Sequence, residues 1–442
     1  MQEHKTFRDY LDKVCEQIRW KKAHVIACRE LGDHLEDRQA ALLESGLTED
    51  EAANQAVLDM GDAALVGSQL DHTYRPRPAW GIIAVTAALM IVGYFARLYI
   101  IQHADSFHVV DIPRSIFWLF AAVAVMAIGY FLDFSIIGKH PIIIGAVYVI
   151  IILFLVFIGG AYIYFANCLK VFFPTVFAGI LWWWPYKGYS GLLSIYLVLA
   201  LMTIAGLTIG NSISLFFFYV GLCGLMLTIE MLKGKFGIRK SLGMLILYSP
   251  VALVILLLIG NTSILNAIAL RFTIMFNPHM EPLGAGFLGV QIREILANAR
   301  WIGSGGYPAY YLPGVVDDFM LTFFIGRFGW ISLVIVLLFL GALFAFAYIL
   351  VKKQKSKLGR MVSLAILISL AANSLFYIAN NISLGAFSTT SLLLLSFGNT
   401  PLLIDSFLIG LMLSVFRNND IVRDTTVAPK MIPRIKISME RQ

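Results

Sequence analysis

Residues 271–329 read RFTIMFNPHMEPLGAGFLGVQIREILANARWIGSGGYPAYYLPGVVDDFMLTFFIGRFG, and their reading decides how the remainder of the 442-residue chain is folded. The stretch is rich in Gly, Pro, Arg and Asp, yet strongly apolar runs flank it on both sides. It therefore reads as a long polar loop between lipid-embedded helices. The Asp317-Asp318 pair stands where the loop re-enters the apolar phase. A carboxylate held at a bilayer edge is costly unless it is hydrated, paired or used, so the chemistry of this protein is expected in this loop.

Working outward, 59% of residues are hydrophobic and 14% charged, with a mean hydropathy of +0.79. A soluble domain needs more polar cover than that. A helical span takes about 20 apolar residues to cross roughly 30 Å of hydrocarbon. Ten candidate runs lie at 79–102, 113–132, 141–165, 170–184, 191–210, 212–231, 242–260, 319–351, 361–379 and 391–415. They are continuous, not alternating, which excludes a β-barrel pattern. The fold expected is all-α: a polytopic membrane domain over 79–418 with a large loop at about 261–317 and a polar tail over 419–442. Basic clusters follow the sixth run (Lys233, Lys235, Arg239, Lys240), the eighth (Lys352, Lys353, Lys355, Lys357, Arg360) and the tenth (Arg417, Arg423). The positive-inside rule puts those ends and both termini in the cytoplasm, and the 271–318 loop outside.

Residues 1–78 differ in kind. They carry 10 basic and 15 acidic residues, a net −5, against 24 and 12, a net +12, in the remainder. The acidic leader argues against a nucleic-acid partner and reads as a separate helical domain over 1–74, joined by a stiff Arg75-Pro76-Arg77-Pro78 linker. Apolar spacing through Tyr10, Val14, Ile18, Val25, Leu31 and Leu35 predicts a helix over 7–45 that stops at Gly46. Thr48 and Glu51 form a capping-box pattern for a second helix to about Met60. No secretory leader pattern opens the chain. Cys15, Cys28, Cys168 and Cys223 show no ligand spacing and read as separate thiols. His24, His34 and His72 lack partners at metal spacing and read as solvated.

Within the loop, Asn277-Pro278 and Glu281-Pro282 signal turns, and Val290–Ala299 predicts about three helical turns. Arg271, Arg293 and Arg300 offer guanidinium forks that suit phosphate oxygens, and equally suit anionic headgroups or loop carbonyls. Of Asp317 and Asp318, one is expected to cap the following helix while the other faces the loop cavity. There it could act as a general base or hold a divalent cation, Mg or Mn.

These residues carry a family resemblance. Asn277-Pro278, Glu281-Pro282, Gly284-Ala285-Gly286-Phe287 and Gln291 resemble the loop motif of the SEDS peptidoglycan polymerases, the FtsW/RodA/SpoVE family. Ile302-Gly303-Ser304-Gly305-Gly306 is similar to its IGSGG. Leu312-Pro313-Gly314-Val315-Val316-Asp317-Asp318-Phe319 is similar to its LPEAHTDF. Phe172–Thr175, Leu132–Phe134 and Ser396–Leu403 resemble further motifs, over residues 80–418 in all. Residues 30–70 resemble a small helical prefix domain found ahead of some bacterial permeases, which implies a docking or regulatory module. The SEDS resemblance implies a glycosyltransferase that polymerises lipid II beside a class B transpeptidase, a single-pass penicillin-binding protein, in division, elongation or sporulation. It implies Asp318 as the base, with Arg271, Asn277, Gln291, Arg300, Gly303, Gly305 and Asp317 around the substrate.

The departures are specific. Val176 and Gly179 stand where the family has an acid and a lysine, and Gly314 and Val316 where it has Glu and His. Gly326-Arg327-Phe328-Gly329 replaces its EELG, and Asp405 replaces an Asn. An Arg327–Asp405 ion pair is the expected compensation. Two other classes stay open: a transporter of lipid-linked precursors with Arg97, Arg327 and Asp405 along its path, or a scaffold that recruits partners through its leader.

Overall fold

A computed structural model describes residues 5–419, apart from 77, 104–111, 161, 208–216, 261, 307–311, 313–314, 316, 386–390 and 397–398. The 419–442 tail thus lies almost wholly outside the described residues. The chain divides into two compact units, one of Met1–Pro78 with Arg417–Arg423 and the other built on Ala79–Phe416.

The leader unit holds α1 (Lys5–Gln17), α2 (Lys21–Glu44), α3 (Glu49–Met60) and α4 (Ala63–Tyr74). The single helix expected over 7–45 is broken at 18–20, and α4 was not foreseen. The break lets α1 and α2 fold back on each other, burying Val14, Ile18, Ala23 and Leu35 together with Ala53 and Ala56 of α3. The Thr48–Glu51 capping box forms as expected, and α4 starts on an Asp62 carboxylate that accepts the Leu65 N–H. Arg38 of α2 bonds Asp59 of α3. The Cys15 and Cys28 sulfurs face each other between α1 and α2, a correction to four separate thiols. Cys168 and Cys223 are free.

The membrane unit continues with α5 (Trp80–His103), α6 (Ile112–Phe131), the short α7 (Ser135–Lys139), α8 (Pro141–Ile158), α9 (Tyr162–Leu169), α10 (Phe173–Trp183), α11 (Gly188–Leu207) and α12 (Cys223–Leu232). Then come α13 (Lys240–Gly260), α14 (Thr262–Phe276), α15 (Phe287–Asn298), α16 (Met320–Phe328), α17 (Ile331–Lys352), α18 (Lys357–Asn381) and α19 (Asn399–Arg417). Among the described residues, six segments are long and apolar enough to cross a membrane: α5, α8, α9 with α10, α17, α18 and α19. Shorter apolar helices stand at 115–131, 188–204 and 218–232. The protein is an all-α, multi-pass membrane protein.

Three expected boundaries move. The run 141–165 ends at Ile158, where Gly159 takes φ 71°, and 162–183 forms the next span. The loop opens with α14, so its irregular part begins at Asn277. The run 319–351 is cut at Gly329 into α16 and α17. In α18 and α19, 72% of the span is buried in protein, against 22% for α8 and α17. The last two helices are therefore the core of the bundle, and α8 and α17 turn toward lipid. Small residues allow the closest approach: a Cβ on Gly410 of α19 would stand 2.1 Å from the Met126 carbonyl of α6.

Candidate active site

The Asp317-Asp318 turn is built by the end of α18. Asn381 Nδ2 donates to the Asp318 carbonyl (2.9 Å) and to the Tyr377 carbonyl (3.0 Å). Tyr377 Oη donates to the Asp317 carbonyl (3.3 Å) and faces the Met320 and Leu321 N–H groups. Asn381 Oδ1 accepts from Thr322 N and Oγ1, each at 2.9 Å. The first turn of α16 leaves orphan N–H groups that need acceptors. Its N-cap is Phe319, which has no acceptor side chain, and a neighbouring helix supplies them instead. The N-cap thus stands at Phe319, just beyond the aspartate pair in which it was expected. The Asp318 backbone is pinned while its carboxyl takes no part in the cap. Burial, and secondarily the Asp317 charge, push that carboxyl up to about 6, a value suited to a base working near neutrality.

The other predicted residues divide. Arg271 is exposed on α14, and Arg300 is exposed at the foot of α15, so both cations are open to an anionic ligand. Asn277 is exposed and begins the turn Pro278–Met280. Gln291 is half-buried on α15, which spans Phe287–Asn298 close to its expected position. No described hydrogen bond or ion pair joins these four to the aspartate turn.

The glycines of the IGSGG motif have a different use. Gly303 N–H donates to the Phe328 carbonyl (2.8 Å) and Gly305 N–H to the Gly326 carbonyl (3.3 Å). In return, Trp330 N–H and Ile331 N–H donate to the carbonyls of Arg300 and Trp301 (3.0 and 3.1 Å). This segment stitches across the α16–α17 break, and its N–H groups are spent on helix ends, not on a phosphate. Arg293 is likewise committed: its guanidinium donates to the Phe276 and Met275 carbonyls and to Ser383 Oγ (2.8, 2.8 and 3.0 Å).

The expected Arg327–Asp405 pair does not form. Arg327 is exposed and donates to Tyr99 Oη of α5 (3.1 Å), whereas Asp405 is buried in α19. An exposed guanidinium at a span's edge keeps its hydration, and pairing inside the bundle would forfeit it. Gly179 faces the Ile137 carbonyl so closely that a Cβ would stand 2.7 Å from it. α10 can pack on α7 because this residue has no side chain.

Sequence reasoning missed Asn381, Tyr377 and Lys170. A polar Asn380-Asn381 pair closing an apolar span was the available signal for the first. Lys170 is buried between α9 and α10 with its ammonium 5.8 Å from the Phe218 ring. An intramembrane lysine is a signal by itself.

No family model matches the chain. It is similar to the probable peptidoglycan glycosyltransferase FtsW of Thioalkalivibrio sp., at 26% identity over 159 residues, 34% of this chain and 40% of that protein. The putative FtsW of Mesostigma viride is 29% identical over 151 residues, 33% of this chain and 36% of its own length. The probable FtsW of Trichlorobacter lovleyi is 26% identical over 151 residues, 33% and 39% respectively. The matches thus span about two fifths of these relatives' length. The fold resembles a chain of a solved peptidoglycan synthase complex, described as coordinating polymerization and crosslinking. The TM-score is 0.55 and the identity 19%, covering 77% of this chain and 98% of that one.

Proposed function

We propose that this chain, a divergent member of the SEDS family, is a glycosyltransferase that polymerises lipid II at the outer face of the bacterial cell membrane. The observation that carries the reading is a desolvated carboxylate, Asp318, fixed through its backbone at the mouth of a membrane bundle and spared from helix capping. Partial similarity to FtsW proteins and the shared fold support it.

In this reaction Asp318 takes the proton of the acceptor sugar's 4-hydroxyl as its oxygen bonds to the donor's anomeric carbon. The bond from that carbon to the lipid pyrophosphate breaks, and its electron pair leaves with the pyrophosphate. Arg271 and Arg300 are the exposed cations assigned to that growing charge. Among the described residues no three His, Cys, Asp or Glu side chains gather to hold a metal ion. A Mg or Mn ion at Asp317 and Asp318 would need phosphate oxygens to complete its shell, where it would neutralise charge. A class B transpeptidase is the proposed partner, and both termini are assigned to the cytoplasm.

The test uses the purified full chain with labelled lipid II, with and without the transpeptidase. Wild type should build glycan chains, and Asp318→Ala should lose on the order of 10² to 10⁴ of the rate, the range general-base removal costs. Chains built equally by Asp318→Ala, or headgroup movement across liposomes with no chains, would sink the proposal.

A further inference from the structure

One side chain closes the acid-bearing turn, and it lies neither in the loop nor in any motif considered above. Asn381 is fully buried at the C-terminal end of α18. A primary amide offers two donor hydrogens and an oxygen with two lone pairs. Here Oδ1 accepts the Thr322 N–H and shares the single Thr322 hydroxyl hydrogen with the Asn381 carbonyl, and Nδ2 gives one bond each to the Asp318 and Tyr377 carbonyls. All four capacities are used. Turning the amide over would set NH₂ against an N–H and oxygen against two carbonyls, so its partners fix its orientation.

The same end of α18 also holds the loop. Ser383, at φ 66°, accepts from Arg293 and donates to the Gly289 carbonyl (3.4 Å) of α15. The turn that carries Asp318 and the loop helix that faces it are thus tied within three residues of each other.

We propose that Asn381 is a positioning residue for the reaction: by holding the Asp318 carbonyl and the first turn of α16 together, it sets where the Asp318 carboxyl stands relative to the acceptor hydroxyl. The inference rests on the reading of Asp318 as the base. Reactive groups must be held to well under an ångström, and a 1 Å misplacement costs about 10²-fold. Asn381 touches only the backbone of the base, so its loss alters placement and solvation without removing the reacting group.

Asn381→Ala removes both donors and the acceptor for Thr322 without adding a charge beside Asp318. With labelled lipid II and the full chain, kcat should fall at least about tenfold while KM stays within about twofold, since a misplaced base costs turnover and not binding. The midpoint of the acid limb of the rate profile should also move below about 6, toward the ordinary aspartate range near 3.9, as the carboxyl becomes better hydrated. A merely structural role would lower the yield of folded protein and leave that limb in place. Tyr377→Phe, which deletes the bond to the Asp317 carbonyl without burying a charge, should move both quantities in the same direction by a smaller factor. It carries the test should Asn381→Ala not fold.

Asp318→Asn runs alongside. If it retains polymerisation, the base assignment fails on its own account. If it abolishes polymerisation while folded Asn381→Ala and Tyr377→Phe keep wild-type kcat and acid limb, the positioning inference is overturned.

Discussion

Asp318 owes its availability to residues that do a different job. A carboxylate just ahead of a helix is ordinarily consumed by orphan N–H groups. Here Asn381 and Tyr377 face those groups, and the acid stays half-buried, with no N–H among the described residues to stabilise its charge. Its carboxyl, pushed up to about 6 first by burial and then by Asp317, is ionised above that pH and protonated below it. Polymerisation should therefore rise about tenfold per pH unit on the acid side and level off above about 6. Asp317→Asn, by removing the second cause, should lower the midpoint. The stability sign is opposite. A carboxyl raised on folding penalises the folded state above its folded value, and the penalty vanishes below the unfolded one. Asp318→Asn should thus melt higher than wild type at about pH 8, with the gap closing toward about pH 4. Equal melting points across that range would refute the partly desolvated carboxylate. Sequence proximity could flag Asp318, but it could not assign Arg293, whose carbonyl partners lie 17 and 18 residues away, or Asn381, 63 residues from its aspartate.

At the scale of elements, the break between α16 and α17 shapes the site. Gly329 takes φ 94°, and a Cβ there would stand 2.6 Å from the Arg300 carbonyl. Both the dihedral and the space exclude a side chain. The hydrophobic run 319–351 reads as one span because hydropathy averages over a single glycine. The break becomes visible only when residues 300–305 dock against it. Gly329→Ala should cost about 2 kcal/mol or more through left-handed strain and steric overlap. Gly341→Ala in α17 meets nothing within 4 Å and should be neutral or stabilise by about 0.5–1 kcal/mol from helix propensity. Thermal unfolding in detergent compares the two, and equal effects would remove the assigned role of the break. The capping box of α3, by contrast, was legible at once, because its partners are three residues apart.

For the whole molecule, the leader and the membrane unit follow different rules. The leader hides a small aliphatic core beneath charge, whereas the membrane unit buries its polar residues in α18 and α19 and turns its apolar faces outward. The basic clusters at 233–240 and 352–360 predict one side for those turns and the other for the loop. In a background with native cysteines replaced by serine, Leu283→Cys, at a position 95% exposed, should react with an impermeant maleimide on intact cells. Lys355→Cys should react only after permeabilisation. The reverse pattern would invert the proposed orientation and remove the loop from the face proposed for lipid II polymerisation.

The sequence by itself determined what depends on composition and near neighbours: a multi-span helical protein, an acidic helical leader, a polar loop, and an aspartate in a family-like motif. Hydropathy, charge bias and short-range caps are properties of adjacent residues, so one chain suffices to read them. Tertiary structure alone decided which polar groups remain free for a ligand. It spent the Gly303 and Gly305 N–H groups and the Arg293 guanidinium on the scaffold, sent Arg327 to Tyr99 in place of Asp405, and released Asp318 from its cap. A buried donor must find an acceptor wherever the fold brings one, and those partners are set by packing between distant helices.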